Sequence, residues 1–384
     1  MANLSGARGT GNITAAQIKP DVDNKLYLLD ANKAPLVALT AKLRKKVTTN
    51  PKFSWFEQNI ESYIDAVNYS TGYTAGSTSI VVDNGSYFSP QDTVKVPSTG
   101  EVMRVTAIST NILTVVRGVG ETAAGALADN EPLWIIGSAF EEGTTSATAN
   151  TGLSAEVYNY CQIFKSSIED TGTMMETDTY TGPDLPEQRR IVGIKHSQKL
   201  ERAFFFGERA IDTSGTHPRR YTRGLNTFIT TNVTDAGGTL TEAEFESFLR
   251  SGFRYGSRKK YLFASRLIVS AISSWAQGKL QMFPKDKTYG IAIAQYLSPH
   301  GEVLIISHDM LEGAGATNQE YGGYAFLVDL ENVMYRPLQN RDTRLKMNVQ
   351  ANDQDGEKDE YITEAGLMVV QEKTHAILKD VLQY

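Results

Sequence analysis

Residues 184–212 read DLPEQRRIVGIKHSQKLERAFFFGERAID, and the rest of the chain is best read outward from them. Asp184 is placed to cap a helix, Pro186 falls in the first turn, and Glu187 follows Asp184 by three residues, an Asp variant of the capping box. From Glu187 to Phe206 there is no proline, and Gly193 is the one weak point. The pattern predicts a long helix over 184–212. At 1.5 Å per residue, its Glu187–Phe206 run alone spans about 30 Å.

Two more helices are expected downstream. In 241–255, Phe245, Phe248, Leu249 and Phe253 recur at helical spacing behind a Thr241…Glu244 capping box. In 265–277, Leu267, Ile268, Ala271, Ile272 and Trp275 form one stripe, with Gly278 expected to close the helix. Strands follow: TYGIAIAQYL, a turn at Ser298-Pro299-His300-Gly301, EVLIISH, YAFLVDL, NVMYRPLQNRDTRLKMNVQ and EYITEAGLMVVQEKTHAIL.

Upstream, FSWFEQNIESYIDAV (53–67) is aromatic-rich and weakly alternating, and is expected to be one long strand. The Thr/Ser-rich segment 143–170 matches it in character, so the two are candidate limbs of one hairpin. Between them, 68–139 is an island of short strands with hairpin punctuation at Asp83-Asn84-Gly85 and Ser98-Thr99-Gly100. Its size and rhythm suggest a small β-barrel or sandwich insert. Trp134, Ile135, Val81, Val94, Met103 and Val115 are its expected core. Residues 1–52 read as an extended arm with short helical pieces, the last of them holding Leu36, Val37, Leu39 and Leu43.

Charge is unevenly placed. The whole chain carries −6, but residues 1–52 carry +6, leaving −12 on the remainder. Lys42, Arg44, Lys45 and Lys46 put four positive charges within five residues. They are either a solvated helix C-terminus, complementing its dipole, or a patch for an anionic partner. The net charge argues against a dedicated nucleic-acid binder. The lone Cys161 permits neither an intrachain disulfide nor a cysteine-based metal site. The N-terminal residues lack the apolar core of a secretory signal, and no run reaches the roughly 18 apolar residues of a membrane span. A soluble chain, made inside a cell and without a membrane partner, is expected.

Signs of catalysis are weak. His196, His217, His300, His308 and His375 show no metal-binding spacing, and no GxSxG elbow occurs. Gly118-Val119-Gly120-Glu121-Thr122-Ala123 imitates a dinucleotide fingerprint, but Gly125 and Asp129–Pro132 interrupt the helix such a site requires. Asp353-Gln354-Asp355-Gly356-Glu357 begins like a calcium loop with Glu364 in twelfth place, yet its flanks read as strands and Asp355-Gly356 reads as a hairpin turn. No catalytic, cofactor-binding or metal-binding residue is assigned.

The order of these elements resembles the major head proteins of tailed bacteriophages, which have the HK97-like fold, an α+β architecture. FSWFEQ, GEVMRVTAIS…LTVVRGVGETAA, DLPEQRRIVGIKHSQKLERAFFFGE, TYGIAIAQYLSPHGEVLIISH and VDLENVMYRPLQNRDTRLKMNVQANDQDGEKDEYITEAGLMV carry the resemblance, which covers nearly the whole chain. It implies an N-terminal arm (1–52) and an E-loop (53–170) enlarged by the β-insert at 68–139. It implies a peripheral domain (171–234) with its spine helix at 184–212, an axial domain (235–328), and return strands of the peripheral domain (329–384). The implied function is that of a structural subunit, not an enzyme, building an icosahedral shell from pentamers and hexamers. Implied partners are further copies of the chain, portal and scaffolding proteins, and packaged double-stranded DNA held by non-specific contact. The place implied is the virion, after assembly in the host cytoplasm. Lys42, Arg44, Lys45 and Lys46 become candidates for a subunit interface or a DNA-facing surface, with the Asp353–Glu360 tip as one acidic counterpart. Competing readings are an encapsulin-type bacterial compartment, a tail or baseplate β-protein, and a hydrolase without a visible site.

Overall fold

The computed structural model describes residues 34–58, 62–147, 152–178, 184–279, 283–288, 291–311 and 321–383. The helical pieces expected before residue 34 lie outside these. In chain order the elements are α1 (Pro35–Leu43), β1 (Lys52–Glu57), β2 (Ile64–Ala66), β3 (Ser79–Val81), β4 (Asp92–Lys95), β5 (Val102–Ser109), β6 (Ile112–Val116), β7 (Pro132–Ser138), β8 (Ala155–Tyr160), β9 (Gln162–Thr171) and α2 (Gly172–Met175). There follow α3 (Asp184–Phe206), β10 (Ala210–Asp212), β11 (Arg219–Tyr221), α4 (Leu225–Phe228), β12 (Val233–Thr239), α5 (Glu242–Gly252), β13 (Lys259–Ala264), α6 (Arg266–Lys279), β14 (Phe283–Thr288), β15 (Ile291–Ser298) and β16 (Gly301–Ser307). The chain ends with β17 (Ala325–Val328), β18 (Val333–Pro337), β19 (Arg344–Lys346), β20 (Gly356–Val369) and β21 (Ala376–Gln383). It divides into two compact units, one of Phe56–Glu156 and one of the residues on either side.

The larger unit is built on a seven-stranded mixed sheet in the order β12-β21-β17-β13-β16-β15-β14. Its central strands are apolar on both faces, the signature of a sheet covered on both sides. Leu262, Ala264, Val303, Ile305, Ala325, Leu327, Ala376 and Leu378 meet Phe245, Phe248 and Leu249 of α5 and Ile268, Ala271 and Ile272 of α6. The alternate residues Phe263, Leu304, Ile306, Phe326, Val328 and Ile377 join Phe204 and Phe205 of α3 and Leu36 and Leu39 of α1. Thr241 and Glu244 form the expected capping box at α5. β21 lies beside β12 and β17 in this sheet, so the last strand belongs with the elements of 233–328 rather than with the return strands expected over 329–384. Ala376, Ile377 and Leu378 are all buried, which only a strand covered on both faces can arrange.

A second sheet places the long β20 between β9 on one side and β18 and β19 on the other. Against it lies α3, which ends at Phe206 rather than at 212 as the sequence suggested. A Cβ on Gly207 would come within 2.4 Å of both Ala203 O and Thr222 O. The segment leading to Gly224 crosses the helix end there, with Gly224 N–H donating to Gly207 O at 2.8 Å, and leaves no room for another turn. Gly193, mid-helix, faces the Tyr361 ring, where a Cβ would sit 3.2 Å from the hydroxyl. Its missing side chain therefore sets how closely α3 approaches β20. α6 runs through Gly278 to Lys279, one residue past the glycine expected to close it. The expected long strand 53–67 is two strands, β1 and β2, and β1 pairs with β8.

The smaller unit is a six-stranded antiparallel sheet, β2-β7-β4-β5-β6-β3. It closes on itself through a Val67–Val82 bridge, with Asn68 N–H donating to Val81 O and Asp83 N–H to Ala66 O. Closure removes the exposed edges that an open sheet of this length would present. Val94, Met103 and Val115 are buried as expected, alongside Ile80, Val82, Val105, Leu113 and Leu133. Trp134 is not: it is 42% exposed and packs edge-on against Tyr63 on the outer surface. Successive strand residues face opposite ways, so Leu133 and Ile135 point inward and Trp134 outward. Val81, between the buried Ile80 and Val82, is likewise not in the core.

Candidate functional site

The basic run begins inside α1. Pro35 at its start has no N–H to satisfy, and the capping residue Ala34 has no side chain to offer. The cap comes from far along the chain. Leu36 N–H donates to Glu201 Oε1 and Val37 N–H to Glu201 Oε2, both at 2.8 Å. Glu201 sits in the buried stripe of α3 between Leu200 and Phe204. His308 Nδ1 accepts from Met310 N–H at 3.2 Å, which leaves Nε2 to donate to Glu201 Oε1 at 2.9 Å. Both side chains are fully buried. One carboxylate thus receives two amides at a helix N-terminus and an imidazole, a favourable place for its charge, and it fastens α1 to the core.

Past Leu43 the chain does not end as a solvated helix terminus. Tyr335 N–H donates to Arg44 O, Lys46 N–H to Tyr335 O, Thr48 N–H to Pro337 O and Gln339 N–H to Thr48 O, at 2.8–3.0 Å. Residues 44–48 therefore lie parallel to β18 as an added edge segment. Only Lys42 belongs to the last helical turn. Lys45 pairs with Asp342, which also accepts from Tyr335 Oη at 2.8 Å. Burial works to raise the Asp342 carboxyl, but the bonds from Lys45, Tyr335 and the Thr343 amide outweigh it and hold the group below its ordinary value. Lys45 is tied to Asp342 at the surface, and alternation puts Arg44 and Lys46 on the opposite side of the segment. Both are exposed.

The acidic counterpart is smaller than the sequence suggested. Glu357 and Asp359 are taken by Arg189 of α3, and Glu360 by Lys165 of β9. The turn is at 351–355, all exposed, and Asp353 and Asp355 have no ion pair among the described residues. Glu364, the twelfth residue of the calcium-like pattern, lies inside β20 and pairs with Arg341. Among the described residues no cluster of three His, Cys, Asp or Glu side chains suits a metal ion. Sequence reasoning missed Glu201, His308 and Asp342 as organisers of the arm. The one available signal was Glu201 itself, a carboxylate within the apolar stripe of a helix, which requires a partner.

The nucleotide-like glycine loop has a different explanation. Arg117 grips the buried Glu101 with Nε and Nη2, each at 2.7 Å, while Gly118 N–H and Gly125 N–H donate to the same carboxylate at 3.1 and 3.0 Å. Burial alone would raise Glu101, but Arg117 and these amides hold it low. The glycine amides that a phosphate site would use are thus spent on an internal carboxylate. The buried histidines are structural. His196 lies between Ser166 Oγ (3.1 Å) and Thr363 Oγ1 (2.8 Å). His375 accepts from Asp329 N–H at 3.1 Å, and burial pushes it down to about 4. Burial likewise pushes the Cys161 thiol up to about 12, which makes it a poor nucleophile. No helix among the described residues is long and apolar enough to cross a membrane.

Comparison with known proteins places this architecture. The chain matches the family model described as SU10 major capsid protein over residues 6–382. It is 23% identical over 327 residues to a "Major capsid protein" of Pseudomonas phage PaMx41, covering 82% of this chain and 77% of that one. The Cyanophage A-1(L) capsid asymmetric unit superposes with a TM-score of 0.54 at 9% identity, over 96% of this chain and 99% of that chain. The holo-SrpI encapsulin complex of Synechococcus elongatus PCC 7942 gives 0.44 at 11% identity, over 60% and 78%.

Proposed function

Because the chain belongs to the SU10 major capsid protein family, it is a structural subunit of a phage shell with an HK97-like fold, and we propose that it builds that shell from pentamers and hexamers around double-stranded DNA. The match over residues 6–382 carries the reading. It favours a virion component over the encapsulin and hydrolase alternatives, and the protein acts by assembling rather than by catalysis. In the proposed division of labour, residues 53–170 are the E-loop carrying the closed β-barrel, α3 is the spine of the peripheral domain, and 235–328 together with β21 form the axial domain. Portal and scaffolding proteins are the further partners of this reading, and assembly takes place in the host cytoplasm.

Within that scheme the segment Lys42–Lys46 is an assembly latch. Its anchor within the chain is Lys45 on Asp342. Its outer contacts are made by Arg44 and Lys46, whose exposure supports an anionic partner, either the Asp353 and Asp355 turn of a neighbouring copy or DNA phosphate. The acidity of the chain favours the protein partner. The test separates the two roles. R44Q/K46Q is expected to make shells more easily dissociated by salt while leaving subunit unfolding unchanged. K45Q is expected to lower subunit stability by about 1 kcal/mol, since the pair is partly exposed. An R44Q/K46Q shell with the parent's salt resistance contradicts the latch.

A further inference from the structure

An open cleft of about 490 Å³ lies along the polar face of α5. Ser247, Arg250 and Ser251 line it from α5 and Arg254 from just beyond the helix end, together with Asn232 and His300. The opposite face of α5 is committed to the core through Phe245, Phe248 and Leu249, so this wall is not needed to hold the helix down. Six of its seven lining residues carry polar side chains, two of them guanidiniums, and Phe253 supplies an apolar part of the surface. Arg250 reaches only Ser247 Oγ, at 3.5 Å, and Arg254 lies over the Tyr255 ring, 5.4 Å from its centroid. Neither has a carboxylate partner among the described residues. Glu246 of α5 is engaged by Tyr296 Oη at 2.8 Å and lies 3.9 Å from His300 Nε2.

Two unpaired arginines in a concave site are unusual on a chain with 44 acidic and 38 basic side chains. The geometry matches an oxyanion, since the guanidinium fork binds carboxylate or phosphate with two parallel bonds. Shape separates the two. A DNA duplex is a convex rod whose phosphates stand on the ridges bordering its grooves, whereas a cleft admits a protruding loop. In a shell of identical acidic subunits, the carboxylates of neighbours are also the anions present at fixed, repeated positions. We propose that this cleft is the seat for a carboxylate-bearing loop of a second copy of this chain. The inference rests on the shell reading and adds to it a specific intersubunit contact on α5, away from the basic arm. The contact fixes orientation as much as it adds affinity.

The test uses the full chain. R250E/R254E is expected to leave the subunit folded by circular dichroism and to cut the assembled fraction roughly tenfold in sedimentation at ordinary salt. R250K/R254K, which keeps charge without the planar fork, should assemble with an intermediate yield. If charge reversal disturbs folding, R250Q/R254Q is read in its place with the same expectation. Reversed chains that assemble with the parent's yield and salt midpoint overturn the proposal. So do reversed chains that assemble normally but retain less duplex DNA, an outcome that would assign the cleft to phosphate. Parent chains that never form shells overturn the shell reading and this contact together, whereas intact parent shells with unaffected reversed shells overturn the contact alone.

Discussion

Replacing Glu201 by glutamine changes one atom at the point where α1 meets the core. The carboxylate now accepts from Leu36 N–H, Val37 N–H and His308 Nε2–H. A glutamine has one acceptor oxygen, and its NH2 must face at least one of these buried donors. An unsatisfied buried donor costs about 1–3 kcal/mol, and losing a charged cap at a helix N-terminus adds about 1 kcal/mol. A total of about 2–4 kcal/mol should fall chiefly on docking of α1. At tenfold per 1.4 kcal/mol, amide exchange over residues 36–43 should quicken by roughly 30- to 1,000-fold. Hydrogen-exchange mass spectrometry on purified particles reads this directly, with peptides from β4 and β5 of the barrel as internal controls. If residues 36–43 exchange within about twofold of the parent rate, Glu201 does not fasten the arm, and the argument from its three bonds is wrong.

Three other outcomes are expected. E101Q should destabilise the barrel unit by about 3–5 kcal/mol, because it strands the buried Arg117, and chemical denaturation should show an early transition for residues 56–156. His375 is neutral in the fold, pushed by burial to about 4 with Lys260 adding to the effect and Asp329 opposing it. The unfolded chain takes up that proton near 6.5. Stability from this group is therefore fully present above pH 6.5 and is lost as pH falls toward 4, at roughly 1.4 kcal/mol per unit; H375Q should flatten that slope in acid-unfolding curves, and an unchanged slope would remove His375 as the cause. K260M should lower the melting temperature clearly, since Lys260 Nζ serves Gly252 O, Tyr255 O and Thr374 O at 2.5–2.8 Å, and a melting point within a degree of the parent would contradict that role.

Much of the larger unit was legible because its signals are local. Thr241 and Glu244 announce α5, and the apolar runs of β16, β17 and β21 announce strands covered on both faces. What escaped depends on residues distant in sequence. The end of α3 at Phe206 is set by Gly207 meeting the segment at Thr222–Gly224. The cap of α1 comes from Glu201, 165 residues away from Leu36, and no spacing rule reaches that far. The extended course of Arg44–Thr48 depends on β18 offering a free edge, so the four basic residues looked like a helix end. In the barrel the error was one of phase. Trp134 and Ile135 are neighbours on one strand and cannot both face inward, and Leu133 on the Ile135 side already filled the core.

Electron cryomicroscopy of particles purified from cells expressing this chain tests the central claim most directly. The account predicts closed icosahedral shells resolved into pentamers and hexamers of this chain. Discrete rings, open tubes or chains that remain monomeric under all salt conditions would contradict it.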